Sequence, residues 1–338
     1  MELLDEIRFD EHLFPARPEC AHEYSKKVSL GYDRMQQTSA VLVGLARNVA
    51  PILPATMLRM ELLGETFADY RIVLFENDST DQTIPLLSAW SHANPKVEIL
   101  SESLGAPVSR PIRCANRADR MAFYRQKCQA HIRQHHSDHP FVIVIDTDVE
   151  GGWSPDGVAS TFGHDGWDFV GSNGLIYRRS GWDANATAQY DAWAYRENED
   201  YRSLATSYVN RLQHRRGEPL VSLPSCFGGM GIYRMAAYLA GEYRGQDIEH
   251  VSFHRTLRHQ GFARTYLNPS QIVLYGRKQR RWDRSLRLLQ RLILPLMLQR
   301  RIVWRFPSNL HFSPSQAHFL PPRQPSSPVE YYRYAKAS

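Results

Sequence analysis

Phe141-Val142-Ile143-Val144-Ile145-Asp146-Thr147-Asp148 is the stretch on which the reading of the fold turns. Its five apolar residues, four of them β-branched, suit a strand buried on both faces, as the central strand of a parallel sheet is. The run stops at two carboxylates two residues apart. In open parallel sheets ligands bind beyond the carboxyl ends of strands, so the pair falls where chemistry is expected. Two hard oxygen donors there suit Mg2+ or Mn2+. Such an ion could clamp a diphosphate and neutralise it as it leaves. A capped turn is the plainer alternative.

Working outward, Ala40–Ala46 is a short apolar run that predicts another buried strand. Pro51–Leu63 has apolar residues at helical spacing and stops at Gly64. Arg71–Glu76 predicts a second strand, Asp81–Ala93 a helix capped by Ser79 or Thr80, and Val97–Leu100 a third strand. Asn116–His136 predicts a long helix leading into the Phe141 strand. This alternation predicts an α/β fold with a doubly wound, mostly parallel sheet flanked by helices. After Gly151 the pattern turns irregular, and helices are expected at Gln189–Arg196, near Tyr233–Leu239 and at Asp247–His259. Residues 1–38 show no clear period and read as a lead-in; 39–276 read as the main domain. A basic helical extension, 277–306, and a Pro/Ser-rich tail, 307–338, follow.

Of the 338 residues 43% are hydrophobic and 22% charged, which excludes disorder along the whole chain. The longest clean apolar run, Leu292–Leu298, is far short of the roughly 20 residues needed to span a bilayer. The first residues, MELLDEIRFDEH, are acidic where a signal peptide is basic, so a cytoplasmic location is expected. Cys20, Cys114, Cys128 and Cys226 lie far apart with no CxxC, which fits free thiols. The net charge of +6 is uneven: residues 277–305 carry ten Lys/Arg against Asp283 alone, and the rest of the chain has 31 basic and 34 acidic residues. In that segment Leu286, Leu289, Ile293 and Leu296 form one stripe, Arg284, Arg287 and Arg291 another, and Trp282 and Trp304 bracket the run. Such a pattern predicts attachment to an anionic membrane surface, at the inner face. A helix packed on the main domain is the alternative. No recognised nucleic-acid motif accompanies the charge, so nucleic acid is not expected as a partner.

Further polar residues gather at strand ends. Glu76-Asn77-Asp78-Ser79-Thr80-Asp81-Gln82-Thr83 follows the second strand, and Arg113, Arg117, Arg120 and Arg125 lie between the two strand-end sites. Guanidinium forks suit phosphate oxygens; a solvated helix face would also explain them. Later come Tyr190-Asp191-Ala192-Trp193 with Arg196, Cys226-Phe227-Gly228-Gly229-Met230, and Glu249-His250-Val251-Ser252-Phe253.

In order and spacing these stretches resemble a GT-A nucleotide-sugar glycosyltransferase. More narrowly, they are similar to the capsule-associated mannosyltransferases typified by the cryptococcal α-1,3-mannosyltransferase family. The resemblance spans about Ser39 to Tyr275. Asp146-Thr147-Asp148 is a fuller DxD than that family is expected to carry, and His250 replaces other residues. The resemblance implies that Ala46, Arg47, Asn48 and Glu76, with Asp78 of the same turn, cradle the nucleoside, and that Arg120 and Arg125 serve the phosphates. Asp146 and Asp148 would meet ribose and a Mn2+ or Mg2+ ion. Gly228 and Gly229 would let backbone approach the ligand, a turn of the chain being the alternative. Glu249 falls where inverting members place their base, and Asp191 joins the catalytic set. His250 and His254, four apart on one helical face, would ligate metal or touch the acceptor. The implied activity is transfer of a sugar, leaning to mannose, from a GDP- or UDP-sugar to a saccharide or lipid-linked acceptor in surface polysaccharide or glycolipid synthesis. Two other readings stand beside it: a phosphohydrolase or phosphotransferase with an Asp nucleophile, and a non-catalytic membrane-surface binding protein of the same fold.

Overall fold

The computed structural model describes residues 7–108, 113–177 and 187–276. The basic segment 277–306 and the tail 307–338 lie outside the described residues. The chain runs α1 (Ala21–Met35), β1 (Ser39–Ala46), α2 (Leu53–Gly64), β2 (Asp69–Asn77), α3 (Thr83–Ala93), β3 (Val97–Glu102), α4 (Ala115–His135) and β4 (Phe141–Asp146). It continues with β5 (Gly152–Trp153), α5 (Pro155–Phe162), β6 (Phe169–Tyr177), β7 (Thr187–Gln189), α6 (Thr206–Val209), β8 (Val221–Ser222), β9 (Met230–Arg234), α7 (Met235–Ala240), α8 (Glu249–His259) and β10 (Thr265–Leu274).

One sheet has the order β3-β2-β1-β4-β9-β6-β10-β5, with β7 beside β6 and β8 beside β10. The four strands expected from the sequence are parallel and adjacent, with Leu45 opposite Asp146 and Ala46 opposite Glu76. The second half of the sheet is mixed. β9 runs antiparallel between β4 and β6, and β10 runs parallel to β6. It follows that β1, β2, β3, β4, β6 and β10 all end at one edge, and β9 begins there.

Period-two alternation sends side chains from each central strand into two cores. Leu42, Ile72, Ile143 and Ile145 pack with α1, α2, α3 and α5 on one face. Val41, Val73, Phe75, Val142 and Val144 pack with α4, α7 and α8 on the other. The helices therefore cover both faces, as a buried parallel sheet requires.

Three local expectations are corrected. The lead-in contains α1, whose Val28, Tyr32 and Met35 are buried in the first core. A Cβ on Gly31 would fall 1.7 Å from the Ala159 carbonyl oxygen, so α1 approaches α5 at backbone distance. The Tyr32 hydroxyl donates to Asp156 Oδ1 across that contact at 2.9 Å. Gln189–Arg196 is not a helix: β7 ends at Gln189, and Asp191 follows with φ +69°. Finally, α3 starts at Thr83 rather than Asp81, because Asp81 Oδ1 accepts from the Thr83 N–H while Ser79 and Thr80 are tied to Asn48. All four cysteines are free thiols, and no described helix is long and apolar enough to cross a membrane.

Candidate active site

Asp146 is the last residue of β4, and its own N–H donates to the Gly229 carbonyl at 2.9 Å, which joins β4 to the start of β9. Its Oδ1 accepts from Arg125 Nη2 at 3.2 Å and its Oδ2 from the Tyr275 hydroxyl, just past β10. Thr147 is turned inward, donating from Oγ1 to the Leu45 carbonyl at 2.6 Å. Asp148 reaches solvent, and no described side chain hydrogen-bonds its carboxylate. Lost hydration, then the Asp146 charge beside it, push its carboxyl up to about 6 against the pull of Arg117 and Arg125.

Arg125 projects from α4 and is buried. Besides Asp146 it reaches Glu249, the first residue of α8, with Nε 3.4 Å from Oε1. Burial alone would depress its pKa; Glu249 and Asp146 outweigh that and raise it. The guanidinium lies over the Phe227 ring at 5.5 Å. His250 stacks on that same ring, centroids 3.7 Å apart and planes at 17°. Both His250 ring nitrogens are buried and have no hydrogen-bond partner among the described residues, as is also true of Glu249 Oε2. Burial, followed by the Arg125 charge, drives His250 well below an ordinary imidazole, so it is neutral.

His254 is a correction. It is fully buried, with Nδ1 2.8 Å from Ser225 Oγ and Nε2 2.9 Å from the Tyr233 hydroxyl. Both nitrogens are occupied inside the core, which leaves none for a metal or an acceptor.

Asp191 completes the carboxylate set. Its Oδ2 accepts from the Gly228 N–H at 3.0 Å and its Oδ1 from Ala194 N at 3.4 Å. Burial raises its carboxyl to about 7; the charges of Asp146 and Glu249 add to this, and the two backbone donors oppose it. The neighbouring Tyr190 stacks on Tyr275, centroids 3.6 Å apart. Gly228 and Gly229 have φ of +65° and +89°. A Cβ on Gly228 would sit 2.2 Å from the Ser172 carbonyl oxygen, and one on Gly229 2.7 Å from Tyr275 Cε2. The glycines are thus required by the turn and by protein atoms packed against it.

The expected nucleoside cradle is a set of interlocked loops. Beyond buried Ala46, Arg47 donates from Nη1 and Nη2 to the carbonyls of Pro107 and Ala106, at 3.2 and 2.5 Å. Asn48 Oδ1 accepts from Thr80 N at 2.8 Å. Asp78 Oδ1 accepts from the N–H groups of Leu104 and Gly105, and its Oδ2 from Ala106 N and Asn77 Nδ2. These donors hold the Asp78 carboxyl down at about 2, the Asn77 amide being the largest cause. Glu76 is buried, with one oxygen on Ser79 N and the other on Ser101 Oγ. Its carboxylate builds the turn instead of facing a ligand, which corrects the role expected for it. Of the arginines on α4, Arg125 and Arg117 act on Asp148, and Arg117 also lies over Trp193 at 5.6 Å. Arg120 is half-buried on the same helix.

No protein-family model matches the sequence, and no curated protein matches it. Among solved structures, the chain is similar to a mannosyltransferase from Pyrobaculum calidifontis solved with GDP-Man and Mn2+. The identity is 11% over 84% of this chain and 74% of that one, with a TM-score of 0.43. It is also similar to glucosyl-3-phosphoglycerate synthase from Mycobacterium tuberculosis, solved with Mn2+, UDP and phosphoglyceric acid, at 13% over 83% and 84%, TM-score 0.41. Mannosyl-3-phosphoglycerate synthase from Rubrobacter xylanophilus matches at 14% over 81% and 79%, TM-score 0.41. With identity and scores this low, the chemistry of the site rests on its own residues.

Two contributors escape sequence reasoning, and a third is quoted there without its role. Tyr275 follows β10, whose Asn268-Pro269-Ser270-Gln271 interruption hides the strand; the register shifts there. The Phe227–His250 stack joins residues 23 apart with no local signal. Arg196 was visible only as part of a motif. It is fully buried, binds the carbonyls of Trp193, Tyr195 and Tyr201, and meets Asp247, which also takes Arg113. It fixes the loop that presents Asp191 and Trp193.

Proposed function

We propose that the chain is a metal-dependent glycosyltransferase of GT-A type, moving a hexose from a nucleoside-diphosphate donor to a hydroxyl acceptor. One observation carries this reading. Asp146-Thr147-Asp148 ends the central strand at the edge where six strands terminate, and Arg125 ties that end to a second carboxylate, Glu249, at the head of α8. The residues suit a divalent cation. Asp148 offers an oxygen donor with no side-chain partner among the described residues, and Asp146 two residues away adds a second carboxylate whose charge a cation would offset. Asp148, with Asp146 beside it, would hold Mn2+ or Mg2+. Bound there, the ion supplies the positive charge that a departing diphosphate needs.

The remaining work falls to the chain's own groups. An acceptor hydroxyl oxygen attacks the anomeric carbon, the bond from that carbon to the diphosphate oxygen breaks, and the hydroxyl proton goes to a carboxylate. Asp191 is the base this reading favours, since its carboxyl lies near neutrality and exchanges a proton in that range. Arg125 orients Asp146 and Glu249. His250, neutral, packs on the same Phe227 ring as Arg125. An Asp-nucleophile phosphohydrolase fits less well, because Val149-Glu150 follows the carboxylate pair where that chemistry has a Thr-bearing turn.

Finer points belong to the same reading. Mannose is the leading sugar, from GDP- or UDP-linked donors, and the basic segment 277–306 brings the enzyme to an anionic membrane surface and a lipid-linked acceptor. The test is turnover: full-length protein is incubated with UDP- and GDP-hexoses and Mn2+, and release of free nucleoside diphosphate is followed. Release from at least one donor, lost in Asp148→Ala and in EDTA, is expected. Release of inorganic phosphate from phosphomonoesters, with no turnover of any nucleotide-sugar, would overturn the proposal.

A further inference from the structure

The end of α4 remote from Arg125 carries a second cluster of metal-ligating side chains. Ten residues of helix, about 15 Å, separate Arg125 from His135, and the cluster sits at the opposite edge of the sheet from Asp146. His131 Nε2 is 2.6 Å from Oε2 of Glu98, which stands near the start of edge strand β3. His136 Nε2 is 2.9 Å from the other oxygen, Oε1, yet is angled so that it makes no hydrogen bond and is buried without one. The three donor atoms lie within 4.8 Å of one another. Two more imidazoles surround them: the exposed His135 ring is 4.6 Å from that of His131, and the His139 ring stands 5.8 Å from that of His136. His139 Nδ1 is held by Asp138, while its Nε2 is buried and unpartnered.

We propose that Glu98, His131 and His136 form a transition-metal site of the Zn2+ class that ties the last turn of α4 to β3. Two imidazoles and one carboxylate are a donor set that zinc accepts with a further position open to water or another side chain. His135, one turn from His131 on the same helical face, is in reach of that position. Nitrogen donors separate this site from the oxygen pair at Asp146 and Asp148, which suits harder ions. The carbonyl end of a helix also favours a cation. An ion here would brace the helix that carries Arg117 and Arg125 without touching the strand-end site.

A carboxylate merely shared by two imidazoles would look similar, and ion binding separates the two. Untagged full-length protein, stripped with a chelator, is dialysed against Zn2+ and, separately, Co2+. Wild type, Asp148→Ala, Glu98→Gln and the double variant His131→Gln/His136→Gln are compared, with circular dichroism checking that each folds. The expected result is one Zn2+ per chain in wild type and in Asp148→Ala, with a rise in melting temperature. Visible absorption from bound Co2+ is expected in both, and loss of ion and of absorption in the double variant. Glu98→Gln keeps the size and polarity of the side chain and is expected to weaken binding; it decides the matter if the double variant does not fold. Absence of bound Zn2+ in wild type, equal binding by folded ligand variants, or binding that disappears only in Asp148→Ala would overturn the proposal.

Discussion

Arg125 is one guanidinium between two carboxylates from different elements, Asp146 of β4 and Glu249 of α8. Removing it strands buried charge, which costs about 3–5 kcal/mol when a buried pair is broken. Arg125→Met is expected to lose stability of that order in denaturant melts and to lose transfer. Arg125→Lys keeps the charge but not the fork, so it is expected to recover part of the stability and little activity. Asp191 gives a pH signature. Its folded-state carboxyl is raised from 3.8 to about 7, so the folded chain resists its ionisation more than the unfolded chain does. The stability it contributes is complete below about pH 4, falls as pH climbs through 7 and is level beyond. Asp191→Asn should therefore raise the melting temperature above wild type at about pH 8 and change it little at about pH 4. With ionised Asp191 as the proposed base, wild-type turnover should rise with pH through about 7, and the Asn variant should be slow with no such rise. The carboxylates at 146, 148, 191 and 249 stand out in the sequence because strand ends and ordered motifs point at them, and their roles belong to the proposal. Glu76 and His254 were misread for a shared reason. Sequence displays a polar side chain but not the partner that satisfies it, and here Ser79, Ser101, Ser225 and Tyr233 do.

At the scale of elements, the parallel half of the sheet followed directly from apolar runs alternating with helical periods. The strands that came later did not, and their composition explains why. β6 carries Ser172, Asn173 and Gly174 through the core, with Asn173 Nδ2 donating to the carbonyls of His214 and Pro269. Such buried polar groups are stable once paired, but they break the apolar pattern on which strand reading depends. α1 was hidden differently. Its buried residues Val28, Gly31, Tyr32 and Met35 lie at helical spacing, yet the rest of AHEYSKKVSLGYDRM is polar. Because Met35 is wholly buried under the first core, Met35→Ala is expected to cost about 2–5 kcal/mol in chemical denaturation. A cost within a few tenths of a kcal/mol of zero would return α1 to the status of a lead-in. The Gly228 turn is equally an element-level device. With φ at +65° and Ser172 in the way, Gly228→Ala should disturb the N–H that holds Asp191, lowering turnover more than nucleotide affinity.

For the whole molecule, topology gathers the chemistry at one edge. Parallel β1, β2 and β4 deliver Asn48, Asp78 and Asp148 there; β10 delivers Tyr275, and antiparallel β9 begins there with Gly229 on Asp146. The charge pattern motivates the membrane part of the proposal. Residues 277–306 hold ten basic residues on an otherwise slightly acidic chain. Full-length protein should sediment with anionic vesicles, less with neutral ones, and less as the Debye length falls from about 10 Å at 0.1 M salt to about 3 Å at 1 M. Replacing Arg280, Arg281, Arg284, Arg287 and Arg291 with Gln should release it and leave nucleotide binding intact. The central claim is a metal-dependent nucleotide-sugar site built on Asp148, and calorimetric titration of the full chain with GDP and with UDP, with and without Mn2+, tests it most directly. The account predicts that at least one nucleoside diphosphate binds only with Mn2+, and that Asp148→Ala weakens this by more than about tenfold, some 1.4 kcal/mol. Binding of neither nucleotide, or binding indifferent to both Mn2+ and the substitution, would contradict it.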